Sequence, residues 1–201
     1  MRFVLASGNR GKLGEFAALF AGSAFEIVSQ QEFGVTEADE TGLSFIENAI
    51  IKARNAAAHT GLPAIADDSG LAVDALNGAP GIRSSRFAGP GAGDRANLEK
   101  LLHELADVPE ERRSARFHCV IACLRHAGDP VPLICQAAWE GRILFEPRGD
   151  QGFGYDPVFF VPTHGCSSAE LPPGVKNRIS HRGQALTQLL RALPAIGGHG
   201  P

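Results

Sequence analysis

Residues 7–12 read Ser-Gly-Asn-Arg-Gly-Lys, and their types and spacing suit an anion. Gly8 and Gly11 remove side chains that would hold a ligand off the backbone. Ser7 and Asn9 supply hydrogen-bond donors, Lys12 a positive charge, and Arg10 stands in the same loop. The run Arg2-Phe-Val-Leu-Ala6 before it reads as a buried strand. After it, Leu13, Phe16, Ala17 and Phe20 fall on one helix face. A strand entering a helix through such a loop aims the N–H groups of the helix start at an incoming anion. The ligand expected is a nucleotide or another phosphorylated small molecule. The competing reading is turn chemistry with a solvated lysine. The loop is not a Walker A sequence, because Leu13 stands where a metal-binding Ser or Thr belongs. Any metal must therefore be held by carboxylates elsewhere.

Asp67-Asp-Ser-Gly70, after the apolar Pro63-Ala-Ile-Ala66, is the strongest acidic feature. A strand turns alternate residues to opposite faces, so one aspartate should face a ligand and the other support structure. If Asp68 has the ligand side, it can bind a metal or activate water; the alternative is an Asx-type turn. Glu40, ahead of Thr41-Gly, is a second carboxylate that alone reads as a solvated loop acid. Paired with Asp68, it would suit magnesium, which takes one or two carboxylates and completes its shell with substrate phosphates. Phe153-Gly-Tyr-Asp-Pro157 sets an aromatic ring among glycines, either as a platform for a nucleobase or as a strand-entry turn whose Phe packs in the core. Ser180-His-Arg182 sets two donors at a helix start, where Arg182 could hydrogen-bond a base carbonyl; in isolation it reads as an N-cap followed by two exposed polar residues. Lys52 and Lys176 can neutralise phosphates, although single lysines usually decorate surfaces. No G-x-S-x-G or H-E-x-x-H sequence occurs, and the seven histidines lack metal-ligand spacing.

These residues need elements to position them. Phe25–Ser29 reads as a second strand. Ser44-Phe-Ile-Glu47 reads as a capping box opening a helix that buries Ile46, Ala49, Ile50, Ala53 and Ala57 and ends at Gly61 and Pro63. Leu71–Asp74 is a further short strand, and Asn77–Gly93 a long loop. A helix from about Asp94 to Leu105 buries Leu98, Leu101, Leu102 and Leu105. Ala115–His126 and Val131–Trp139, turned at Gly128-Asp-Pro130, pattern as a hairpin. Val158–Val161 is a last strand, and a helix capped by Ser180 buries Leu186, Leu189, Leu190 and Leu193. Residues 194–201 read as a flexible tail. Helices and strands alternating early, with long strands late, indicate an α/β protein: a mixed sheet with flanking helices, in one domain of two lobes around a central cleft.

The chain has 201 residues, 44% hydrophobic and 20% charged, with a net charge of -3. That composition suits a globular protein with a substantial core and argues against broad nucleic-acid or membrane contact. Cys119, Cys123, Cys135 and Cys166 include no CxxC pair, so they read as reduced core thiols of a cytoplasmic protein.

Taken together, Ser7–Lys12, Thr41-Gly-x-Ser-Phe-x-Glu-Asn48, Ala66-Asp-Asp-Ser-Gly-Leu71, Gly78-Ala-Pro-Gly-Ile82, Phe153–Pro157 and Ile179-Ser-His-Arg-Gly183, in that order, resemble the inosine/xanthosine triphosphate pyrophosphatases. The resemblance spans nearly the whole chain. It implies an elongated two-lobed α/β homodimer that uses magnesium to hydrolyse ITP, dITP or XTP to the monophosphate and pyrophosphate. On matching positions, Ser7, Gly8, Asn9, Arg10, Gly11, Lys12 and Lys176 would hold the triphosphate, with Lys52 as helper. Glu40 and Asp68 would organise the metal, Asp68 would accept the proton of the attacking water, and Ser69 would contact substrate. Phe153, Gly154, Tyr155, Asp156, His181 and Arg182 would surround the base. A 6-oxo group can accept from Arg182, whereas adenine would leave that cation unpaired, a loss of roughly 1.5–3 kcal/mol. Guanine must then be rejected at its 2-amino group. The chain departs from the family at Val175, where an acidic residue is common. A pyrophosphatase for other modified nucleotides, or a non-catalytic nucleotide sensor, would use the same phosphate-binding residues.

Overall fold

The computed structural model describes residues 1–197. One seven-stranded sheet is flanked by helices, with strand order β2-β1-β3-β4-β5-β6-β7. The strands are β1 Arg2–Leu5, β2 Glu26–Ser29, β3 Ala64–Val73, β4 Ser114–Leu124, β5 Leu133–Ile143, β6 Phe159–Val161 and β7 Cys166–Ser167. The helices are α1 Arg10–Phe20, α2 Phe45–Thr60, α3 Asp94–Glu104, α4 Pro173–Ile179 and α5 His181–Gly197. β1 pairs in parallel with β2 and β3, while β6 is antiparallel to β5 and β7. The sheet is thus mixed, as expected for this α/β chain. Two compact units are distinguished, residues 1–68, 119–137 and 182 onward forming the first, and 69–118 and 138–181 the second.

In the first unit, strand alternation sorts the core into two layers. Phe3, Leu5, Ile65, Cys119, Ile121 and Cys123 point to one side, packing with Phe16 and Phe20 of α1 and Leu186, Leu189 and Leu193 of α5. Val4, Ala6, Ala64, Ala66, Val120, Ala122 and Leu124 point to the other, against Ala49, Ala53, Ala56 and Ala57 of α2. The second unit has its own core, in which Leu98 and Leu101 of α3 and Leu105 at its C-cap meet Leu71, Val73, Phe117, Trp139 and Phe159. The thiols of Cys119, Cys123 and Cys135 are free and buried, and burial raises their pKa values.

Several boundaries differ from the sequence reading. Asp67-Asp-Ser-Gly is no turn but the middle of a single ten-residue strand. β5 runs on past Trp139 to Ile143. The stretch Pro173–Ile179, which the sequence reading assigned to no element, forms α4 with proline at its start, where a missing N–H costs nothing. Ala49, Ala53 and Ala57 of α2 are buried as expected, but Ile46 is 39% exposed, and Asn48 and Ala56 join the inner face. Its small Ala49/Ala53/Ala56/Ala57 stripe lies on the sheet, with the half-buried Ile50 packed beside it. Glu47 reaches back to the start of α2 as expected, its Oε2 accepting from the Leu43 N–H and the Ser44 hydroxyl. Gly61 caps α2 at φ 67°, as its position predicts. Helix α5 continues through Pro194 to Gly197, and the remainder of the expected tail lies outside the described residues.

Candidate active site

The loop at residues 7–9 is pre-shaped by its own side chains. Ser7 Oγ accepts from the Asn9 N–H at 3.2 Å, and Asn9, the N-cap of α1, accepts from the Lys12 N–H at 3.0 Å. These bonds orient the first turn of α1, whose leading N–H groups have no intrahelical acceptor. Gly8 has a second use unforeseen from the sequence: a Cβ there would lie 2.5 Å from Glu37 Oε1. Its missing side chain leaves room for Glu37 as well as for any ligand.

Alternation along β3 gives its two aspartates different tasks. Asp67 faces the α1/α5 layer, where Lys12 Nζ lies 2.8 Å from Oδ1 and Arg182 Nε donates to Oδ2 at 3.1 Å. Arg182 Nη1 also donates to Glu15 Oε2 at 2.5 Å. Burial alone would raise the Asp67 carboxyl, but Lys12, Arg182 and Lys52 outweigh it and hold the group far below the usual carboxylate range. Asp68 faces α2. There Lys52 Nζ donates to Asp68 Oδ1 at 2.7 Å and to Glu40 Oε1 at 2.9 Å. For Asp68, burial wins over Lys52 and its carboxyl is raised above the ordinary value. Asp68 Oδ2 is buried and has no hydrogen-bond partner among the described residues. An unsatisfied buried carboxylate oxygen beside a second carboxylate has the chemistry of a metal ligand or a water acceptor.

Asn48 supports this pair, and the sequence reading did not single it out. It is fully buried on α2, one turn before Lys52, and its Oδ1 accepts the Gly42 N–H at 2.8 Å. That bond fixes the backbone two residues beyond Glu40. Glu15 was also missed. Its only sequence signal is an acid one turn after the loop lysine.

The second unit holds the other expected residues apart from Arg182, which belongs to the first. Asp156 is buried and accepts three bonds, from Ser168 Oγ at 2.8 Å, Lys176 Nζ at 2.5 Å and the Phe153 N–H at 2.8 Å. Lys176 Nζ also lies 5.3 Å from the centre of the Phe153 ring. Phe153 is half-buried while Tyr155 is the core aromatic, its hydroxyl donating to the Ser84 carbonyl at 2.8 Å. His181 and Arg182 are 6% and 3% exposed, so the reading of two surface residues after a cap fails. The His181 ring stacks on Phe117 at 4.8 Å, nearly parallel, next to Trp139. Val175, where the family commonly carries an acid, packs against the apolar core instead. Ser69 follows Asp68 on β3 and is half-buried.

Gly152, at φ 81°, closes this cluster: a Cβ would fall against Asp156 Oδ2 and 3.0 Å from Lys176 Nζ. Gly152→Ala is therefore expected to lose about 1–3 kcal/mol from backbone strain and crowding. Urea unfolding of the variant beside wild type checks this, and equal midpoints would contradict it.

The Ham1 family profile matches residues 3–192. The chain is 60% identical over 192 residues to the dITP/XTP pyrophosphatase of Escherichia coli O157:H7, covering 96% of this chain and 98% of that one. It is 59% identical over 192 residues to the dITP/XTP pyrophosphatase of Vibrio cholerae serotype O1, covering 96% of each. The structure of a HAM1 protein from Coxiella burnetii superposes with a TM-score of 0.91 at 53% identity, covering 97% of this chain and 99% of that chain.

Proposed function

This chain belongs to the Ham1 family, and from that premise we propose that it hydrolyses dITP, ITP and XTP to the monophosphate and pyrophosphate. The observation that carries the reading is the Glu40–Lys52–Asp68 arrangement with its unsatisfied Asp68 oxygen. Water attacks the α-phosphorus, a new P–O bond forms, and the bond from that phosphorus to the bridging oxygen breaks. Asp68 Oδ2 accepts the proton that the water loses, and pyrophosphate departs with the bridging electrons. Lys12 can keep Asp67 on one N–H and turn its other two donors to phosphate oxygens. The first turn of α1 adds backbone N–H groups where negative charge gathers.

Magnesium fits the same residues. Two carboxylates converge on one ammonium, and Asp68 Oδ2 is buried without a hydrogen-bond partner among the described residues. No group of three or more His, Cys, Asp or Glu suited to a metal exists among the described residues. Glu40 and Asp68 would therefore be the protein's share, with phosphate oxygens completing the shell. When bound, the ion would neutralise phosphate charge and acidify water. Lys52 would hold the two acids in place and add positive charge near the triphosphate.

Phe153, Gly154, Tyr155, Asp156, Lys176, His181, Arg182 and Ser69 are assigned to substrate by motif, the first six forming or adjoining one cluster in the second unit. A cytoplasmic homodimer belongs to the same reading. No described helix is long and apolar enough to cross a membrane, and light scattering after gel filtration tests the dimer. The activity itself is tested by incubating purified protein with ITP, dITP, XTP, dUTP, GTP or ATP and Mg²⁺, with pyrophosphate and orthophosphate assayed separately. Pyrophosphate from the deaminated purines is expected. Orthophosphate as primary product rejects α-cleavage, and equal turnover of ATP rejects base selectivity. Preferred turnover of dUTP points to a pyrophosphatase for other nucleotides, and binding without turnover points to a sensor.

A further inference from the structure

The turn carrying Phe153 is held from three directions within the second unit. Asp156 Oδ2 takes the Phe153 N–H, and Tyr155 reaches the Ser84 carbonyl. The third restraint comes from α3: Asp94 Oδ2 accepts the Gly154 N–H at 2.8 Å across sixty positions of sequence. Gly154 has φ 62°, a left-handed conformation in which its N–H direction is set by the turn. One turn along α3, the buried Asn97 accepts the Ala88 N–H at 2.8 Å and donates to the Ser85 carbonyl at 3.1 Å. Asp94 and Asn97 lie at i and i+3, on one face of the helix. A single rigid element thus grips both the 81–88 segment and the Phe153 turn.

We propose that Asp94 is a positioning residue for purine selectivity: through the Gly154 N–H it fixes where the Phe153 ring and the following backbone meet the base. This rests on the assignment of that turn to the base. The physical case is one of restraint. A half-buried ring on a glycine turn selects between bases differing by one exocyclic group only if its backbone cannot shift to admit the wrong one. Asp156 is buried and also holds Lys176 and Ser168, so it is committed to the core of the cluster. Asp94 is solvent-exposed, and its Oδ2 is bonded to the turn. It can therefore be changed without opening the core.

Asp94→Ala and Asp94→Asn separate positioning from charge, because the asparagine oxygen can still accept the Gly154 N–H. A charge-assisted bond to backbone, partly exposed, is expected to move the constants by about two- to tenfold. Asp94→Ala should raise the KM for ITP by that factor, lower the ITP-to-GTP ratio of kcat/KM, and leave the inhibition constant of inorganic tripolyphosphate unchanged. Asp94→Asn should stay near wild type in all three. Hydrogen exchange of the peptide spanning residues 152–156 should quicken in the alanine variant and not in the asparagine variant. An unchanged KM and selectivity in Asp94→Ala would overturn the proposal, as would a tripolyphosphate constant rising in step with KM. So would unaltered exchange in residues 152–156. If wild type itself turned over GTP as readily as ITP, the assignment of activity would fall; the exchange measurement would then still report whether Asp94 braces the turn.

Discussion

Asp68→Asn is expected to lower kcat by about 10²–10⁴, the usual contribution of a positioned general base, while the affinity for ITP changes little. The substituted amide keeps an oxygen for Lys52 Nζ, so Lys52 and Glu40 stay where they are and the fold is barely disturbed. What disappears is the acceptor at Oδ2, the buried oxygen with no partner of its own among the described residues. Calorimetric titration with a slowly hydrolysed analogue, beside steady-state kinetics, separates the two effects. The pH profile supplies an independent check. The base must be ionised to act, so kcat/KM falls as pH drops through its pKa. Burial outweighs Lys52 and sets that pKa above the ordinary 3.8, so the acid limb should lie above that value. Asp68→Asn should erase the limb from its residual rate. A variant retaining near-normal kcat would remove Asp68 from the chemistry.

Arg182→Ala is expected to act first on stability, which the motif alone would not suggest. The guanidinium is 3% exposed and joins Asp67 to Glu15. Its removal leaves Glu15 without that cation and Asp67 with Lys12 as its close ion pair. Breaking a buried pair from one side costs about 3–5 kcal/mol. For a chain of this size that corresponds to a fall in Tm of roughly 6–20 °C. The sign of the pH dependence follows from Asp67, whose folded carboxyl is depressed. Its stabilising contribution is complete above the unfolded value of 3.8 and is lost as pH falls through the folded one. The gap between wild type and variant should therefore be widest near neutrality and narrow in acid. Scanning calorimetry across that range decides it; a Tm unchanged at pH 7 would show that the carboxylates do not depend on Arg182. Base reading by Arg182, where it occurs, must use N–H groups other than those given to Asp67 and Glu15. Its loss of selectivity should accordingly be measured below the variant's melting range.

Local chemistry made much of the molecule readable in advance. Ser44 and Gly61 bound α2 because capping and a left-handed stop depend only on neighbouring residues. The leucines at helical spacing in α3 and α5 reach their cores for the same reason, as do the alternating apolar residues of β4. Gly8, Asn9 and Lys12 announced a shaped loop at a helix start. Ordered motifs, each weak alone, identified the family.

Other assignments needed partners distant in sequence. Strand alternation already set Asp67 and Asp68 on opposite faces, but composition left a turn open at Asp67-Asp-Ser-Gly, and pairing in the sheet made it continuous strand. Ile46 looked like core, yet the alanines of α2 allow closer approach to the sheet and turned it outward. His181 and Arg182 looked exposed until Phe117 closed over one and Asp67 and Glu15 over the other. The sequence by itself determined which groups were present, where α2 begins and ends, and which chemistry their types permit, because those depend on local conformation and on composition. The tertiary structure alone decided which aspartate is committed to cations and which keeps an oxygen to spare, because the environment of a carboxylate is set by whichever side chains folding brings within a few ångströms of it.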